Sequence, residues 1–359
     1  MGIPRLTIDL DAIAANWRLL TELAAPAEVT AVVKADAYGL GVQPVARRLA
    51  EAGCGKFFVA TLDEGVELRR FLPDAVIAVL SAPVRHQARD FVAHGLYPVL
   101  NQPGDLDAWR AEGRGLPAWL HIDTGMHRLG FSQSEWQKLL ASAPVWERLG
   151  VIGLISHYAC ADDPEHPLNV QQRDAAHAAA RDAGLPLSLG NSSAIFLGPA
   201  YRGDLVRPGM ALYGLNPTPY RANPMRSAIR LDAQVLQVRR VEAHGTTGYG
   251  ASAEVRSGQI LVTLGLGYAD GLFRILSNKA SVFFDGMAAP VQGRVSMDSV
   301  VVDVTHLGRR PSPGDWAEVI GPNQSADSLA DAAGTIGYEV LTSLGHRYAR
   351  TYRYSESDA

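Results

Sequence analysis

Lys34 is the residue of this sequence whose type and position most clearly suggest chemistry. It follows an apolar run that begins at Val29, and a turn marked by Gly39 and Gly41 comes soon after it. If the run is a buried strand, desolvation lowers the pKa of the lysine, and a deprotonated amine can form an imine with a carbonyl compound. A strand-end lysine that extends into solvent explains the same segment equally well. Other parts of the chain must decide between the two interpretations.

Further polar residues stand at the ends of other apolar runs. Asp123 and His157 end two of them, Asn191 and Ser192 end a third, and Arg207 lies within or just after a fourth. Each has an ordinary structural explanation when it is taken alone. Agreement at five run ends is much less expected by chance, so we next ask whether the elements bring these ends together.

Short apolar runs alternate with helical patterns from Leu6 to about Met210. Eight of these runs have the character of strands: Val29–Ala35, Lys56–Thr61, Ala75–Ser81, Leu96–Asn101, Ala118–Asp123, Val151–His157, Leu187–Ser192 and Leu205–Met210. Alternating strands and helices predict right-handed βαβ units and a parallel sheet, and eight units close a (β/α)8 barrel of the TIM type. A doubly wound sheet of six to eight strands is the competing architecture. In a barrel, the polar run ends would meet at one rim.

Strand-like runs with little helical pattern follow Arg226. They are Leu231–Val241, Gln259–Leu266, Ala280–Phe284, Val300–Val304 and Trp316–Ile320, with Asp285-Gly286 as a tight-turn signal. We therefore predict an α/β fold in which residues 1–226 form the barrel and residues 227–359 form a mainly β C-terminal domain. The first segment, within residues 1–10, is compatible with either domain.

The groups around Lys34 suggest pyridoxal 5'-phosphate, an aldehyde that carries a phosphate. Asn191-Ser192 precedes a predicted helix, and free backbone N–H groups with a hydroxyl at such a place bind anions. Arg207-Pro208-Gly209-Met210 offers further backbone N–H groups beside a glycine, and Tyr38 and Tyr338 can donate hydrogen bonds. The position of these groups, more than their type, supports a phosphate site.

Composition limits the other possibilities. The chain has 359 residues, 47% of them hydrophobic, and a formal net charge of -4, so it is a globular protein without general attraction to nucleic acid or an anionic membrane. Cys54 and Cys160 make neither a disulfide framework nor a zinc site, and no metal site is expected. The first residues contain no apolar stretch long enough for a signal peptide, and no segment approaches membrane-spanning length. We expect a cytoplasmic protein.

Nine motifs resemble those of bacterial alanine racemase, and they occur in the same order over nearly the whole chain. Those of the barrel region are Val33–Gly41, His121–Gly130, Ser156–Ala159, Asn191-Ser192 and Arg207–Gly214. Those of the C-terminal region are Gly248–Ala251, Gly267–Gly271, Gly293–Asp298 and Gly337–Val340. The resemblance implies an amino-acid racemase of the isomerase class that uses pyridoxal phosphate to interconvert L-alanine and D-alanine.

The resemblance also implies a role for each motif residue. Lys34 and Tyr249 would be the two bases on opposite faces of the substrate Cα, and Arg128 with the backbone N–H of Met297 would bind its carboxylate. The implied cofactor-binding residues are Lys34, Tyr38, His157, Asn191, Ser192, Arg207, Gly209, Met210 and Tyr338. Tyr268 and Arg274 would line the channel through which substrate enters, and His121 and Asp298 would have supporting roles.

His121 departs from the pattern of the family. In many relatives this position is a lysine, modified to a carbamate that orients the active-site arginine. A histidine cannot form that carbamate as lysine does, so Arg128 must be oriented by His121 itself, by a bound anion such as chloride, or by a nearby carboxylate. We expect activity that does not depend on carbon dioxide.

Because Tyr249 and Lys34 fall in different predicted domains, the resemblance implies a head-to-tail homodimer with composite sites. The resemblance implies either a supply of D-alanine for peptidoglycan precursors or alanine catabolism, and the sequence leaves both roles open. A racemase for serine or another small amino acid on the same framework is the nearest alternative. A pyridoxal-phosphate decarboxylase and a non-catalytic pyridoxal-phosphate-binding protein are the others; the motif around Tyr249 and the presence of Arg207 argue against the former, and the second domain argues against the latter.

Overall fold

The chain folds into two compact units. The computed structural model describes residues 3–81, 84–142 and 149–355. One unit is Ile13–Arg226, and the other joins the residues up to Ala12 with those from Ser227 onward. The first elements of the chain are strand β1 (Arg5–Asp9) and helix α1 (Leu10–Ala24), so the chain passes from one unit to the other within α1.

The first unit is built around a parallel sheet that closes on itself. Its strands are β2 (Glu28–Val29), β3 (Ala31–Val32), β4 (Lys56–Val59), β5 (Val76–Val79), β6 (Tyr97–Leu100), β7 (Ala118–His121), β8 (Val151–Ile155), β9 (Leu187–Ser188) and β10 (Leu205–Val206). They are hydrogen-bonded in chain order from β3 to β10, and β10 then pairs with β2. Only Thr30 separates β2 from β3, so these two segments are parts of one strand. The eight-stranded barrel predicted from the sequence is confirmed, and the doubly wound alternative is wrong.

Helices connect the barrel strands. They are α2 (Val42–Glu51), α3 (Leu62–Phe71), α4 (Val84–His94), α5 (Pro103–Glu112), α6 (Gln133–Ala141) and α7 (Pro167–Ala183), with short 3₁₀ helices at Ala194–Leu197, Pro199–Tyr201 and Met210–Tyr213. Ordinary start signals define several of them. Thr61 and Ser132 form capping boxes with Glu64 and Glu135, respectively, which satisfies backbone N–H groups in the first turns of α3 and α6.

The interior of the barrel is filled by side chains from nearly all of its strands. Its cluster of buried residues consists of Val32, Phe58, Ala78, Val99, Trp119, Ile155 and Leu205. Because strand residues alternate between two faces, one such residue in each short strand is enough to make a packed core. The packed interior leaves chemistry to the residues beyond the strand ends.

The barrel strands end earlier than the sequence indicated. The strand predicted as Val29–Ala35 stops at Val32, and those predicted to end at Asp123 and His157 stop at His121 and Ile155. Turns follow these strand ends; after β7, for example, Asp123 Oδ1 accepts from the backbone N–H groups of Gly125 and Met126. The strand predicted as Leu187–Ser192 likewise stops at Ser188, and that predicted as Leu205–Met210 stops at Val206. The polar residues therefore stand on loops just beyond the rim.

The second unit is mainly β, as the sequence predicted. Its further elements are β11 (Ile229–Arg240), β12 (Gly245–Thr247), β13 (Ala253–Val255), β14 (Ile260–Leu264), β15 (Ser281–Phe284), β16 (Met287–Pro290), β17 (Val300–Asp303), β18 (Trp316–Ile320), β19 (Ala349–Arg353), α8 (Ala326–Ala333) and α9 (Gly337–Thr342). Strand β1 pairs antiparallel with β11 and parallel with β19, so the first segment belongs to this sheet. Asp285 and Gly286, both with positive φ, make the expected tight turn between β15 and β16.

Candidate active site

Lys34 opens a left-handed helical turn at the rim of the barrel. The four residues Ala35–Tyr38 have φ between 52° and 57°, a backbone conformation that residues other than glycine rarely adopt. Two carboxylates hold the turn: Glu64 Oε1 accepts from Ala35 N–H at 2.7 Å, and Asp36 Oδ1 accepts from Val42 N–H at 2.7 Å. Lys34 is thus fixed by a strained but hydrogen-bonded backbone.

The electrostatic surroundings of Lys34 favour the chemical interpretation of this residue. Burial lowers its pKa, and the positive charges of Arg128 and Arg207 lower it further, while Glu64 opposes them in part. A lysine that merely extends into solvent would keep its ordinary pKa. The amine is therefore more easily deprotonated than that of a surface lysine.

Arg207 is buried beside Lys34 and binds neutral partners. Its guanidinium donates to Ser188 Oγ and to Ser156 O, both at 2.6 Å, and its Nη2 lies 3.2 Å from His157 Nδ1. Burial lowers the pKa of Arg207 to about 9, so the group is still a cation near neutral pH. Burial and then the charge of Arg207 hold the pKa of His157 well below its usual value, so the imidazole is neutral and its Nδ1 accepts from the guanidinium.

Ser192, Gly209 and Tyr38 lie together at the same rim. Ser192 Oγ accepts from Gly209 N–H at 3.0 Å and from Ala211 N–H at 3.3 Å, which leaves the hydroxyl hydrogen to donate. A Cβ built on Gly209 would lie 2.3 Å from the hydroxyl of Tyr38, so only glycine allows this close approach. The ring of Tyr38 packs against that of Tyr213, with ring centroids 4.7 Å apart.

The helix predicted to begin around Asn191–Ala194 is a short one. It is the 3₁₀ helix Ala194–Leu197, and Asn191 Oδ1 accepts from Ala194 N–H at 3.0 Å. The backbone N–H of Gly209, which the sequence suggested for a phosphate, donates to Ser192 Oγ in this structure. The groups that the sequence suggested for a phosphate therefore lie on loops and on short 3₁₀ helices.

Arg128 lies on a loop that begins with a tight turn. Asp123 Oδ1 accepts from the backbone N–H groups of Gly125, Met126 and His127 at 2.9, 2.9 and 3.2 Å. Burial tends to raise the pKa of Asp123, but these three bonds outweigh it and the pKa is lowered. The carboxylate is thus the centre of the turn that presents Arg128.

His121 stands below this loop, at the end of β7. Its Nδ1 lies 2.7 Å from Asn101 Oδ1. Burial, and then the charge of Arg207, lowers the pKa of His121 to about 4, with Arg128 adding to the effect and Asp123 opposing it. The imidazole is therefore neutral near pH 7.

Tyr249 lies in the second unit, in the turn between β12 and β13. Gly248 and Gly250, on either side of it, have φ of 80° and 70°, and a Cβ on either glycine would collide with Arg294. The side chain of Tyr249 is 72% exposed in the single chain. Close packing of the backbone therefore presents the phenol on a rigid turn, although sequence reasoning had not found the hairpin.

Tyr268, Met297 and Asp298 are neighbours within the second unit. Tyr268 N–H donates to Ser296 O, and Ala269 N–H donates to Met297 O, both at 3.0 Å. One guanidinium connects the group, since Arg347 donates to Asp298 Oδ1 at 2.7 Å and to Asp270 Oδ1 at 2.8 Å. Two further predicted site residues lie elsewhere in this unit: Arg274 opens the 3₁₀ helix Arg274–Leu276, and Tyr338, 39% exposed, is in α9.

Two family models cover most of the chain. One describes the N-terminal domain of alanine racemase and matches residues 8–217, and the other describes its C-terminal domain and matches residues 228–352. This chain belongs to the alanine racemase family.

Individual alanine racemases are similar to it over nearly their full length. The protein from Rhodospirillum rubrum is 46% identical over 97% of this chain and 95% of its own length, and a catabolic alanine racemase from Mesorhizobium japonicum is 45% identical over 97% and 92%. Among solved structures, the alanine racemase from Bartonella henselae, which has covalently bound pyridoxal phosphate, gives a TM-score of 0.94 at 41% identity, over 98% of this chain and 100% of that one. The biosynthetic alanine racemase from Pseudomonas aeruginosa gives 0.92 at 34% identity, over 99% and 100%.

Several residues that shape the site of this alanine racemase family member were missed from the sequence. Glu64 had the signature of a helix cap only, yet it also binds the turn after Lys34. Asn101 and Ser188 sit at strand ends but belong to no motif that drew attention, and Arg347 has no local signal at all.

Neither a metal cluster nor a membrane-spanning helix accompanies this site in the part of the chain that the structure describes. Over residues 3–81, 84–142 and 149–355, no group of three or more His, Cys, Asp or Glu side chains is placed to hold a metal ion. Within the same ranges, no helix combines the length and apolar composition that crossing a bilayer requires.

Proposed function

We propose that this protein is an alanine racemase that interconverts L-alanine and D-alanine with pyridoxal 5'-phosphate. The observation that carries the proposal is Lys34, an amine with a lowered pKa at the barrel rim, beside the cations Arg128 and Arg207. The names of the most similar proteins, and the pyridoxal phosphate bound in the Bartonella henselae structure, support the same substrate and cofactor.

The barrel residues fit a cofactor that carries both an aldehyde and a phosphate. Lys34 is the amine that would hold the aldehyde carbon. Ser192 Oγ and the phenol of Tyr38 both lie close to the backbone at Gly209. With Asn191, Met210 and Tyr338 they would hold the phosphate. In addition to burial, the charges of Arg128 and Arg207 lower the pKa of Lys34 and of His157, and a bound anion would relieve this repulsion between positive groups.

Arg207 would face the pyridine nitrogen. Within the described ranges it has no carboxylate partner; its donors go to Ser188, Ser156 and His157. Even with its lowered pKa the guanidinium is a donor and not an acid that readily gives up its proton, so it would leave the ring nitrogen unprotonated. A cofactor held in this way is a weaker electron sink, which limits side reactions such as transamination.

Racemisation requires a proton to leave one face of the substrate Cα and another to arrive on the opposite face. When bound, the cofactor supplies the electron sink that stabilises negative charge at this carbon. Lys34 Nζ would take or return the proton on one face, and the phenol oxygen of Tyr249 would do so on the other. The phenol of a free tyrosine has a pKa of about 10, so it needs help to act as a base, and we assign that help to the hydrogen-bonded pair His157 and Arg207.

The remaining site residues would handle the substrate. Arg128 would bind its carboxylate and steady Tyr249, and the backbone N–H of Met297 would bind the same carboxylate. Tyr268 and Arg274 would line the channel through which alanine enters, and bulky side chains there favour a small amino acid. The ion pair of Asp298 with Arg347 would keep the Met297 segment in place.

We further propose a head-to-tail homodimer in which each site combines Lys34 of one chain with Tyr249 of the other. The exposed phenol on a rigid turn is consistent with this arrangement. The two free cysteines, Cys54 and Cys160, are compatible with a reducing cytoplasm. In that compartment D-alanine would supply peptidoglycan synthesis, although one relative carries the name of a catabolic enzyme.

The proposal is tested by incubating the protein and pyridoxal phosphate with L-alanine in deuterium oxide. We expect deuterium at the α-position together with D-alanine. Lys34→Ala should lose both the exchange and the absorbance of the lysine-bound cofactor, whereas Lys138→Ala, on the exposed face of α6, should retain them. Bound cofactor without any exchange would favour a binding protein, and faster exchange with serine would favour the broader racemase.

A further inference from the structure

Asn101 fixes the hydrogen on the ring of His121. The amide Nδ2 of Asn101 donates to Leu80 O at 3.0 Å and to Val99 O at 2.8 Å, so both amide hydrogens are used. Because a carbonyl oxygen can only accept, the nitrogen and not the oxygen of the amide must face these two groups. Oδ1 is then the atom 2.7 Å from His121 Nδ1, and Nδ1 must carry the hydrogen.

The second ring nitrogen of His121 is consequently an acceptor. Burial and the charges of Arg207 and Arg128 keep the ring neutral near pH 7 by lowering its pKa, although Asp123 opposes them. A neutral imidazole with its hydrogen on Nδ1 has a lone pair on Nε2. Such an atom repels chloride and attracts an N–H donor.

The loop that carries Arg128 passes close to the ring of His121. Phe131 N–H donates to His121 O at 2.8 Å, and Asp123 N–H donates to Phe131 O at 3.0 Å, which fastens the far end of the loop over β7. A Cβ built on Gly130 would lie 3.0 Å from His121 Cδ2, the carbon bonded to Nε2. The lone pair therefore borders the segment that follows Arg128.

A nearby carboxylate is less suited to orient the arginine. Asp123 Oδ1 already accepts three backbone N–H groups, and Oδ2 lies 3.5 Å from His127 Nδ1. Among residues 3–81, 84–142 and 149–355, no ion pair links Arg128 to an acidic side chain. The acceptor that borders the loop is the imidazole.

We propose that His121 is a positioning residue for Arg128: its Nε2 lone pair accepts a hydrogen bond from the guanidinium while the arginine binds the substrate carboxylate. This proposal rests on the proposed function. Of the three candidates for orienting Arg128, it chooses His121 over a bound anion or a nearby carboxylate. The arrangement needs neither chloride nor a modification by carbon dioxide.

Two substitutions separate the lone pair from the bulk of the ring. His121→Phe keeps a planar ring but removes both nitrogen atoms, so KM for alanine should rise roughly tenfold to hundredfold, more than kcat falls, with cofactor content unchanged. His121→Gln offers one N–H donor for Asn101 and one oxygen acceptor for Arg128, so it should keep KM within about threefold of the wild type. His86→Phe, at an exposed position of α4 outside this loop, is the matched control and should behave as the wild type.

Anion and bicarbonate titrations complete the test. KM of the wild type should not change when chloride is replaced by gluconate at equal ionic strength, or when bicarbonate is added. The proposal is overturned if His121→Phe leaves KM unchanged, if glutamine is as poor as phenylalanine, or if chloride or bicarbonate lowers KM of the wild type. Inactivity of the wild type itself would instead refute the proposed function, so the two failures are distinguishable. If His121→Phe does not fold, His121→Gln and the two titrations still test the proposal.

Discussion

At the scale of the residue, the site depends on space as much as on charge. The Tyr38 phenol lies so close to the backbone of Gly209 that a Cβ added there would be 2.3 Å from the phenol oxygen, which is shorter than real contacts allow. Gly209 has negative φ, so its lack of a side chain matters for space and not for backbone conformation. Glycine here is required by the neighbour and not by the turn.

Gly209→Ala should displace the Tyr38 phenol and weaken binding of pyridoxal phosphate by roughly tenfold or more, the loss expected for one hydrogen bond to a charged group. Gly55→Ala is the matched control, because a Cβ there has no atom within 4 Å. Cofactor titration followed by absorbance measures the dissociation constants. Equal affinity in both variants would contradict the assignment of Tyr38 to the phosphate.

The neutral ring of His121 also makes a prediction about stability and pH. Its pKa is about 4 in the folded chain, and a free histidine has about 6.5, so the unfolded state binds more protons between these values. The stabilisation is complete above about pH 6.5 and is lost as the pH falls through about 4. The difference between these two pKa values corresponds to about 3 kcal/mol in the free energy of unfolding.

His121→Gln, which does not titrate, should therefore lose less stability than the wild type between pH 7.5 and pH 4.5. The midpoints of urea unfolding of the cofactor-loaded proteins at the two pH values measure this difference. Titratable groups remote from residue 121 contribute equally to both proteins, so they cancel. Identical pH dependence in the two proteins would show that His121 titrates normally.

At the scale of the element, the sequence predicted strands correctly where an apolar run was clear. It did not predict irregular turns or very short strands. The eight barrel strands and five of the nine strands described after residue 226 follow from apolar runs, and these were found near their true positions. The left-handed turn after Lys34 was not found, because Ala35–Tyr38 has no glycine to announce positive φ, and distant Glu64 stabilises it. The hairpin around Tyr249 was also missed, since β12 and β13 are only three residues each. Local patterns cannot report bonds between distant segments.

Strain in this turn can be measured by a glycine substitution. Ala35 is exposed with φ of 54°, so Ala35→Gly should raise the free energy of unfolding by about 0.5–1 kcal/mol, after the greater entropy of the unfolded chain is subtracted. Ala175→Gly, at an exposed position within α7, should lower it by about 1 kcal/mol. Urea unfolding of the two variants gives opposite signs if the turn is strained, and the same sign if it is not.

At the scale of the whole molecule, the resemblance to alanine racemase motifs is what assigns residues of both units to one active site. Neither unit taken alone indicates this. The barrel presents Lys34, Arg207 and His157, and the β unit presents Tyr249 and Met297. If Lys34 and Tyr249 act on the two faces of one carbon, as we propose, one site must combine residues of both kinds of unit. We assign the second set to a partner chain, and the assignment has a direct consequence for mixed dimers.

The most direct test of the account is complementation between two inactive variants, Lys34→Ala and Tyr249→Phe. After the chains are unfolded together, refolded and loaded with cofactor, each mixed dimer should contain one site with both bases and one with neither. Equimolar mixing should then recover about a quarter of the wild-type racemase activity per chain. Recovery near that level, with each variant inactive alone, is the predicted result. Mixed dimers that form but remain inactive would contradict a site shared between Lys34 of one chain and Tyr249 of the other.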